Sequence, residues 1–208
     1  MNLPPVPSSV DVLLFDLGRV VLDISFDQVM TNWAGHAGCE PGDLARRFVV
    51  NDSFKHHEIG QIDDAAFFAS LRQSLGIGIT DAQFLEGWNA IFTGEMPGIA
   101  PLLASAAKRM PLYAFSNTNP AHVAHFSLAY AGVLGHFREI FLSSSIGLRK
   151  PDAEAYDHVV KAIGVPASRI LFFDDSAANI EGARARGLFA IHVTSTDDVA
   201  RALTALEV

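Results

Sequence analysis

Short apolar runs that each end in a polar residue constrain the fold of this chain more than any other feature. The runs are Val12–Phe15, Leu112–Phe115, Ile140–Leu142, Ile170–Phe173 and Phe189–Val193. Their uninterrupted hydrophobicity indicates strands buried on both faces, as in a parallel sheet covered by helices. Helical patterns separate the later runs, at Ala121–Ala131, Pro151–Ile163 and Ser176–Arg186. This alternation predicts an α/β fold with a doubly wound parallel sheet.

The spacing of the strands predicts a second domain. The first two runs begin about 100 residues apart, which is far more than one crossover helix needs. The excess shows helical patterns at Phe26–Gly35, Asp43–Val50, Ala65–Leu75 and Ala82–Phe92. We therefore expect an α/β core domain at residues 1–24 and 97–208, with a helical domain at residues 25–96 inserted after the first strand.

Composition and charge exclude several classes of protein. Half of the residues are hydrophobic and only 18% are charged, which excludes disorder as the main state. The net charge of −8 argues against a nucleic-acid partner. Neither a membrane span nor a signal peptide is predicted, so we expect no membrane partner and a cytoplasmic location. The lone Cys39 cannot form an internal disulfide, and we expect it to be partly buried.

Chemically active side chains follow three of the predicted strands, at the edge where an open α/β sheet binds ligands. Asp16 follows the first strand, Ser116 the second, and the pair Asp174-Asp175 the fourth, while Lys150 precedes a predicted helix. Clustered carboxylates repel one another, and Mg²⁺, which prefers oxygen ligands, relieves that repulsion. A metal, a lysine and helix N-termini together favour a bound phosphoryl group, and a carboxylate can act as the nucleophile.

Four motifs resemble those of the haloacid dehalogenase (HAD) superfamily, in the order and spacing of that family. They are Phe15–Val20, Phe115–Asn119, Arg149–Pro151 and Phe172–Ser176. The resemblance implies a HAD-type Rossmannoid core with a C1-type helical cap. Within the superfamily, the stretches at residues 57–62 and 179–183 are similar to those of bacterial phosphatases that act on α-D-glucose 1-phosphate.

The resemblance implies a metal-assisted reaction through a covalent intermediate. Asp16 would attack phosphorus and form an aspartyl-phosphate, which water then hydrolyses. Mg²⁺ would be bound by Asp16, by the backbone carbonyl of Gly18 and by Asp175, with Asp174 bound directly or through water. The implied function is Mg²⁺-dependent hydrolysis of a small phosphorylated metabolite, with a hexose 1-phosphate as the first candidate.

The resemblance also implies which residues bind the substrate. Ser116 and Lys150 would bind the phosphate oxygens, Lys150 would in addition neutralise the nucleophile, and Asn117 would lie beside the phosphate. Cap loops in such enzymes face the active site, so His57 and Glu58 are candidate substrate-binding residues.

One position departs from the family pattern. Many related phosphatases carry a second Asp two residues after the nucleophile, which protonates the leaving group, but here that position is Gly18. We hypothesise that a cap residue, the substrate or water moves the proton, with His56 and His57 as candidates because histidine titrates near neutral pH. Two alternatives stay open. A haloacid dehalogenase needs no metal, so the pair Asp174-Asp175 argues against it, and a non-catalytic binding protein is suggested by Gly18.

Several other aromatic and basic residues are interpreted as structural. Trp33 and Trp88 are assigned to the core of the helical domain, and His122 to an ordinary helix position. Arg19 steers an anionic substrate, pairs with a cap carboxylate, or lies at a solvent-facing turn.

Overall fold

The computed structural model describes residues 9–208 and contains a parallel sheet of five strands. The strands described are β1 Val12–Phe15, β2 Leu22–Ile24, β3 Phe92–Glu95, β4 Leu112–Ser116, β5 Glu139–Leu142, β6 Ile170–Asp174 and β7 Phe189–His192. The sheet has the order β5-β4-β1-β6-β7, and all of its pairings are parallel. The predicted α/β fold is therefore confirmed. The prediction that there is no signal peptide rests on residues 1–5, which lie outside the described residues.

The helices lie between and around these strands. Those described are α1 Phe26–Ala37, α2 Pro41–Arg47, α3 Asp52–Glu58, α4 Asp64–Leu75, α5 Asp81–Asn89, α6 Ile99–Ala106, α7 Pro120–Ala129, α8 Ala131–Leu134, α9 Ser143–Ile146, α10 Ala153–Ile163, α11 Ala177–Ala185 and α12 Thr196–Ala205. A short 3-10 helix at Ala167–Arg169 leads into β6. Within residues 9–208, every helix is too short or too polar to cross a lipid bilayer.

Local sequence signals start and end several of these helices. The Asn119 side chain accepts a hydrogen bond from the backbone N–H of His122, and Pro120 occupies the first position of α7. Thr80 and Gln83 form a reciprocal capping box at the start of α5. Gly164 ends α10 with a φ of 81°, in the left-handed region that glycine enters without steric cost.

Apolar side chains form three buried clusters. Two of them lie on opposite faces of the sheet. Because successive residues of β1 point to opposite faces, Leu13 and Phe15 belong to the first cluster, and Val12 and Leu14 belong to the second. The third cluster fills the interior of α1–α5 and takes in one residue of the α/β core, Ala121. On this basis we propose residues 25–96 as a separate helical domain, called the cap below.

The structure differs from the sequence-based expectations in the segments that join the cap to the core. β2 and β3 form an antiparallel pair that was not predicted, and Phe92 lies in β3 rather than at the end of a helix. α3 was also not predicted. Strands of three and four residues are too short to show a reliable alternation of polar and apolar residues. The expectation that Cys39 is partly buried is wrong. Its side chain is exposed because the residue lies just beyond the end of α1.

Candidate active site

The polar ends of three parallel strands meet at one cavity of about 460 Å³. Asp16 directly follows β1, Ser116 ends β4 and Asp175 follows β6, and all three line the cavity. The other predicted site residues that line it are Gly18, Glu58, Asn117 and Lys150. Because the carboxyl ends of parallel strands share one edge of the sheet, residues far apart in sequence converge here.

Lys150 is buried beside Asp16 and fully hydrogen-bonded. Its Nζ donates to Oδ1 of Asp16 at 2.8 Å, to Oδ2 of Asp174 at 2.7 Å and to the carbonyl oxygen of Phe115 at 2.8 Å. The rings of Phe115 and Phe172 lie 5.2 and 5.3 Å from Nζ. Burial opposes the charge, but Asp16 and Asp174 outweigh it and raise the pKa of Lys150. Since all three ammonium protons are in use, contact with a phosphate oxygen would require Nζ to exchange one partner.

Asp174 lies behind the cavity, fully buried. Its Oδ1 accepts from the backbone N–H of Ser176 at 2.8 Å and from the Asn179 amide at 3.0 Å. Its Oδ2 accepts from Lys150 and, at 3.1 Å, from the same amide. Both carboxylate oxygens therefore accept hydrogen bonds from protein donors. This favours metal binding by Asp174 through water over direct metal binding.

Three carboxylates crowd one end of the cavity. Asp16, Asp174 and Asp175 each offer an oxygen within 4.8 Å of the others. Burial, reinforced by Asp174 and opposed by Lys150, raises the pKa of Asp16 to about 7. Burial and Asp174 also raise the pKa of Asp175. A divalent cation would offset this repulsion, and carboxylate oxygens are the donors that Mg²⁺ prefers, so the donor set fits that ion.

The loop after β1 determines what can occupy position 18. The backbone N–H of Arg19 donates to the carbonyl of Leu22 at 2.8 Å, and Arg19 has a φ of 57° at the exposed rim of the cavity. A Cβ added to Gly18 would lie 3.0 Å from Cδ1 of Ile24. An acidic side chain at this position would therefore compete with Ile24 for space.

The Asn117 side chain fixes the backbone at Lys150. Its side-chain nitrogen donates to the carbonyl of Lys150 at 2.8 Å, and its Oδ1 accepts from the backbone N–H of Lys150 at 2.9 Å. This paired contact links the end of β4 to the residue that contacts Asp16. The geometry gives Asn117 a positioning role through Lys150, in addition to its place in the cavity lining.

Glu58 joins the cap to the core. The Nε and one terminal nitrogen of Arg149 each lie 2.8 Å from Oε2 of Glu58. The hydroxyl of buried Ser143 lies 2.6 Å from the backbone carbonyl of Glu58 and accepts from the backbone N–H of Thr118 at 2.8 Å. Burial raises the pKa of Glu58, while Arg149 opposes that change. A long-range pair of this kind carries no signal in the sequence.

The structure does not bring His57 to the cavity. Its Nε2 lies 2.7 Å from Oδ1 of Asp64, its ring stacks on Phe67 with centroids 4.2 Å apart, and its side chain is 1% exposed. Burial lowers the pKa of His57, against the opposing effect of Asp64. His56 is exposed. Among the described residues, neither histidine lines the cavity where a leaving group would lie.

His122, interpreted from the sequence as an ordinary helix residue, belongs to a buried junction between cap and core. Oδ1 of Asn119 accepts from the backbone N–H of His122 at 3.0 Å and from Nε1 of Trp88 at 3.3 Å, so the Asn119 amide nitrogen faces Nδ1 of His122 at 3.0 Å. Nε2 of His122 donates to the carbonyl of Trp88 at 3.1 Å. These partners require a neutral imidazole protonated at Nε2. Both Trp88 and His122 line the cavity, and the Asn119–His122 spacing at a helix start was the available signal.

A family model for haloacid dehalogenase-like hydrolases matches residues 10–187. This range includes every strand-end residue described above. The chain belongs to this hydrolase family. The recognition made from the four motifs is thereby confirmed, and so is the expectation that the chain is an enzyme.

Two relatives of this hydrolase carry the name phosphatase. It is 28% identical over 211 residues to a phosphatase, MT3486, of Mycobacterium tuberculosis, covering 95% of each chain. It is 35% identical over 169 residues to enolase-phosphatase E1 of Stenotrophomonas maltophilia, covering 80% of this chain and 69% of that one. A HAD-family enzyme from Bacteroides thetaiotaomicron, solved with magnesium and inorganic phosphate, shares the fold with a TM-score of 0.76 at 24% identity, over 87% of this chain and 92% of that one.

Proposed function

We propose that this hydrolase is a Mg²⁺-dependent phosphatase that acts on a small phosphorylated metabolite. The observation that carries the proposal is the cluster of Asp16, Asp174 and Asp175 at the cavity, with Lys150 in contact with Asp16 and Asp174. The phosphatase names of its relatives support the same reaction. The magnesium and phosphate in the similar enzyme support the same cofactor.

Asp16 is the proposed nucleophile. Lys150 contacts its Oδ1, so Oδ2 is the atom proposed to attack phosphorus. The bond from Asp16 to phosphorus forms while the bond from phosphorus to the leaving oxygen breaks, and that oxygen takes a proton from water. A second water then attacks phosphorus, which releases inorganic phosphate and restores the carboxylate. The chain contributes positioning and charge stabilisation, which dominate phosphoryl transfer.

The remaining residues hold the reacting groups. When bound, Mg²⁺ would supply positive charge that offsets the charges of the carboxylates and the phosphate. Its proposed ligands are Asp16, the carbonyl of Gly18 and Asp175, with Asp174 acting through water because its oxygens bond to protein donors. Ser116 is proposed to donate to a phosphate oxygen from the end of β4.

Lys150, Asn117 and the cap residue Glu58 have supporting roles in the proposal. Lys150 keeps Asp16 oriented, and Asn117 keeps Lys150 in place. Glu58 is the proposed cap residue that contacts the substrate, since it lines the cavity. His57 has no proposed part, because it lies outside the cavity lining.

A phosphate-release screen with and without EDTA tests the proposal. The panel includes the hexose 1-phosphate that the sequence resemblance implies. We expect release that depends on Mg²⁺, that EDTA abolishes and that Asp16→Asn lowers by at least about 1000-fold. Metal-independent halide release from a 2-haloacid would identify a dehalogenase instead. Equal silence of the native chain and Asp16→Asn on a broad panel would point to a non-catalytic binding protein.

A further inference from the structure

The wall of the cavity that the cap contributes is largely apolar. Seven residues of the cap line the cavity, and six of them are hydrocarbon or aromatic: Phe26, Val50, Phe54, Trp88, Ile91 and Phe92. Leu22 and Ile24 of β2 extend the same surface. A wall of this composition contrasts with the opposite end, where the charged residues of the core converge.

The cap contributes few polar side-chain atoms to this wall, and two of them already have partners within the protein. Glu58 is the one polar side chain that residues 25–96 contribute to the lining, and its Oε2 is paired with Arg149. The indole N–H of Trp88 donates to Asn119. A leaving group rich in hydroxyls would therefore lose hydrogen bonds to water on this wall and gain few in return, which makes its burial costly.

Several of these apolar side chains are incompletely covered. Phe26, Phe54 and Phe92 are half-buried, and Val50 is 51% exposed at the edge of the cavity. Partly open aromatic and aliphatic surface that borders a catalytic cluster is typical of a site completed by an apolar part of its ligand. The cavity is continuous from this surface to Asp16.

We propose that the substrate is a phosphate monoester whose leaving group is largely hydrocarbon, aliphatic or aromatic, rather than a polyhydroxylated sugar. This inference rests on the proposed phosphatase function. The phosphate lies at the carboxylate end of the cavity, and the hydrocarbon lies along Val50, Phe54 and Trp88.

A series of matched substrates tests the inference. Propyl phosphate is compared with glycerol 3-phosphate, and hexyl phosphate with glucose 6-phosphate, because each pair has primary alcohol leaving groups and equal carbon numbers. We expect kcat/KM to favour the alkyl member of each pair, and to rise up to about fourfold for each methylene from propyl to hexyl. Phosphate release from all four substrates with a preference for the sugar and glycerol esters would overturn the inference and leave the phosphatase function standing.

Two neighbouring valines offer a matched pair of variants. Val50 lines the cavity, whereas Val49 is 65% exposed and does not line it. We expect Val50→Ser to lower kcat/KM for hexyl phosphate by about two- to fivefold, while Val49→Ser leaves it unchanged. Equal effects of the two variants on hexyl phosphate would contradict the assignment of this wall.

Binding without turnover separates failure of the inference from failure of the function. Calorimetric titration of Asp16→Asn with Mg²⁺ measures the dissociation constants of hexyl phosphate and glucose 6-phosphate. We expect hexyl phosphate to bind at least about tenfold more tightly. This preference supports the inference even if the native chain releases no phosphate, a result that would refute the phosphatase function. Tighter binding of glucose 6-phosphate would overturn the inference.

Discussion

Replacement of His122 by glutamine is expected to remove a large part of the acid sensitivity of the fold. Burial lowers the pKa of His122 from 6.5 to about 3, with the nearby histidines His57 and His125 acting in the same direction. The imidazole also accepts a hydrogen bond at Nδ1 from Asn119, which a protonated ring could not do. The native state therefore keeps His122 neutral at pH values where an unfolded chain would protonate it.

The direction and size of the change in the free energy of unfolding follow from this difference in proton binding. A pKa that is lower in the folded chain leaves stability intact above about pH 6.5 and reduces it as the pH falls toward 3. Between pH 7.5 and pH 5, the loss from this one group is about 2 kcal/mol, and it approaches about 1.4 kcal/mol per pH unit below pH 5.5. This loss at pH 5 is almost the same for any folded pKa of His122 below about 4, because the imidazole is then almost entirely neutral in the native state.

Urea unfolding at pH 7.5 and pH 5 measures this effect for the native chain and for His122→Gln. Other groups that titrate in this interval, including Asp16 and Glu58, contribute to both proteins and cancel in the comparison. The native chain is expected to lose about 2 kcal/mol more than the variant over this interval. If the two proteins lose the same free energy of unfolding, His122 is not buried as a neutral hydrogen-bonded ring and the reasoning is refuted.

Three further substitutions test separate features. Asn117→Ala removes the clamp on Lys150 and is expected to lower kcat about 10- to 100-fold with little change in KM, measured as Mg²⁺-dependent phosphate release; an unchanged kcat would contradict the positioning role. Gly60→Ala, at a φ of 69° and against a neighbouring backbone oxygen, is expected to lower the free energy of urea unfolding by about 2 kcal/mol, and a neutral effect would show that the loop can shift. Gly18→Asp alone is expected to give no gain in kcat, whereas the addition of Gly18→Asp to Ile24→Ala is expected to raise kcat by up to about 100-fold. Equal kcat for Ile24→Ala and the double variant would contradict steric exclusion of an acid.

The sequence was sufficient to predict the sheet and the strand-end residues. Runs such as Val12–Phe15 and Ile170–Phe173 are apolar throughout because both faces of these strands are covered, and the structure places strands there. The position of Asp16 and Asp175 at one cavity follows from the parallel arrangement alone. What these residues bind stays a prediction.

Other parts of the site could not be predicted, because they depend on contacts between distant segments. Glu58 and Arg149 are 91 residues apart, and Trp88 and Asn119 are 31 apart, so neither pair produces a local pattern. His57 was expected at the cavity from its place in the cap, but the chain turns its ring toward Phe67. The direction of a side chain on a short helix depends on packing, which composition and spacing do not encode.

The central place of β1 has a consequence for the order in which the chain can fold as it is synthesised. β1 pairs with β4 and β6, so this strand, which is made before the other described strands, obtains its second neighbour only after Ile170–Asp174 has been made. The cluster inside α1–α5 draws almost entirely on residues 29–91 and can assemble long before that. Nascent chains that end before β6 are therefore expected to carry a formed cap beside an exposed, apolar half-sheet, which makes this stage of synthesis the one most dependent on protection from aggregation.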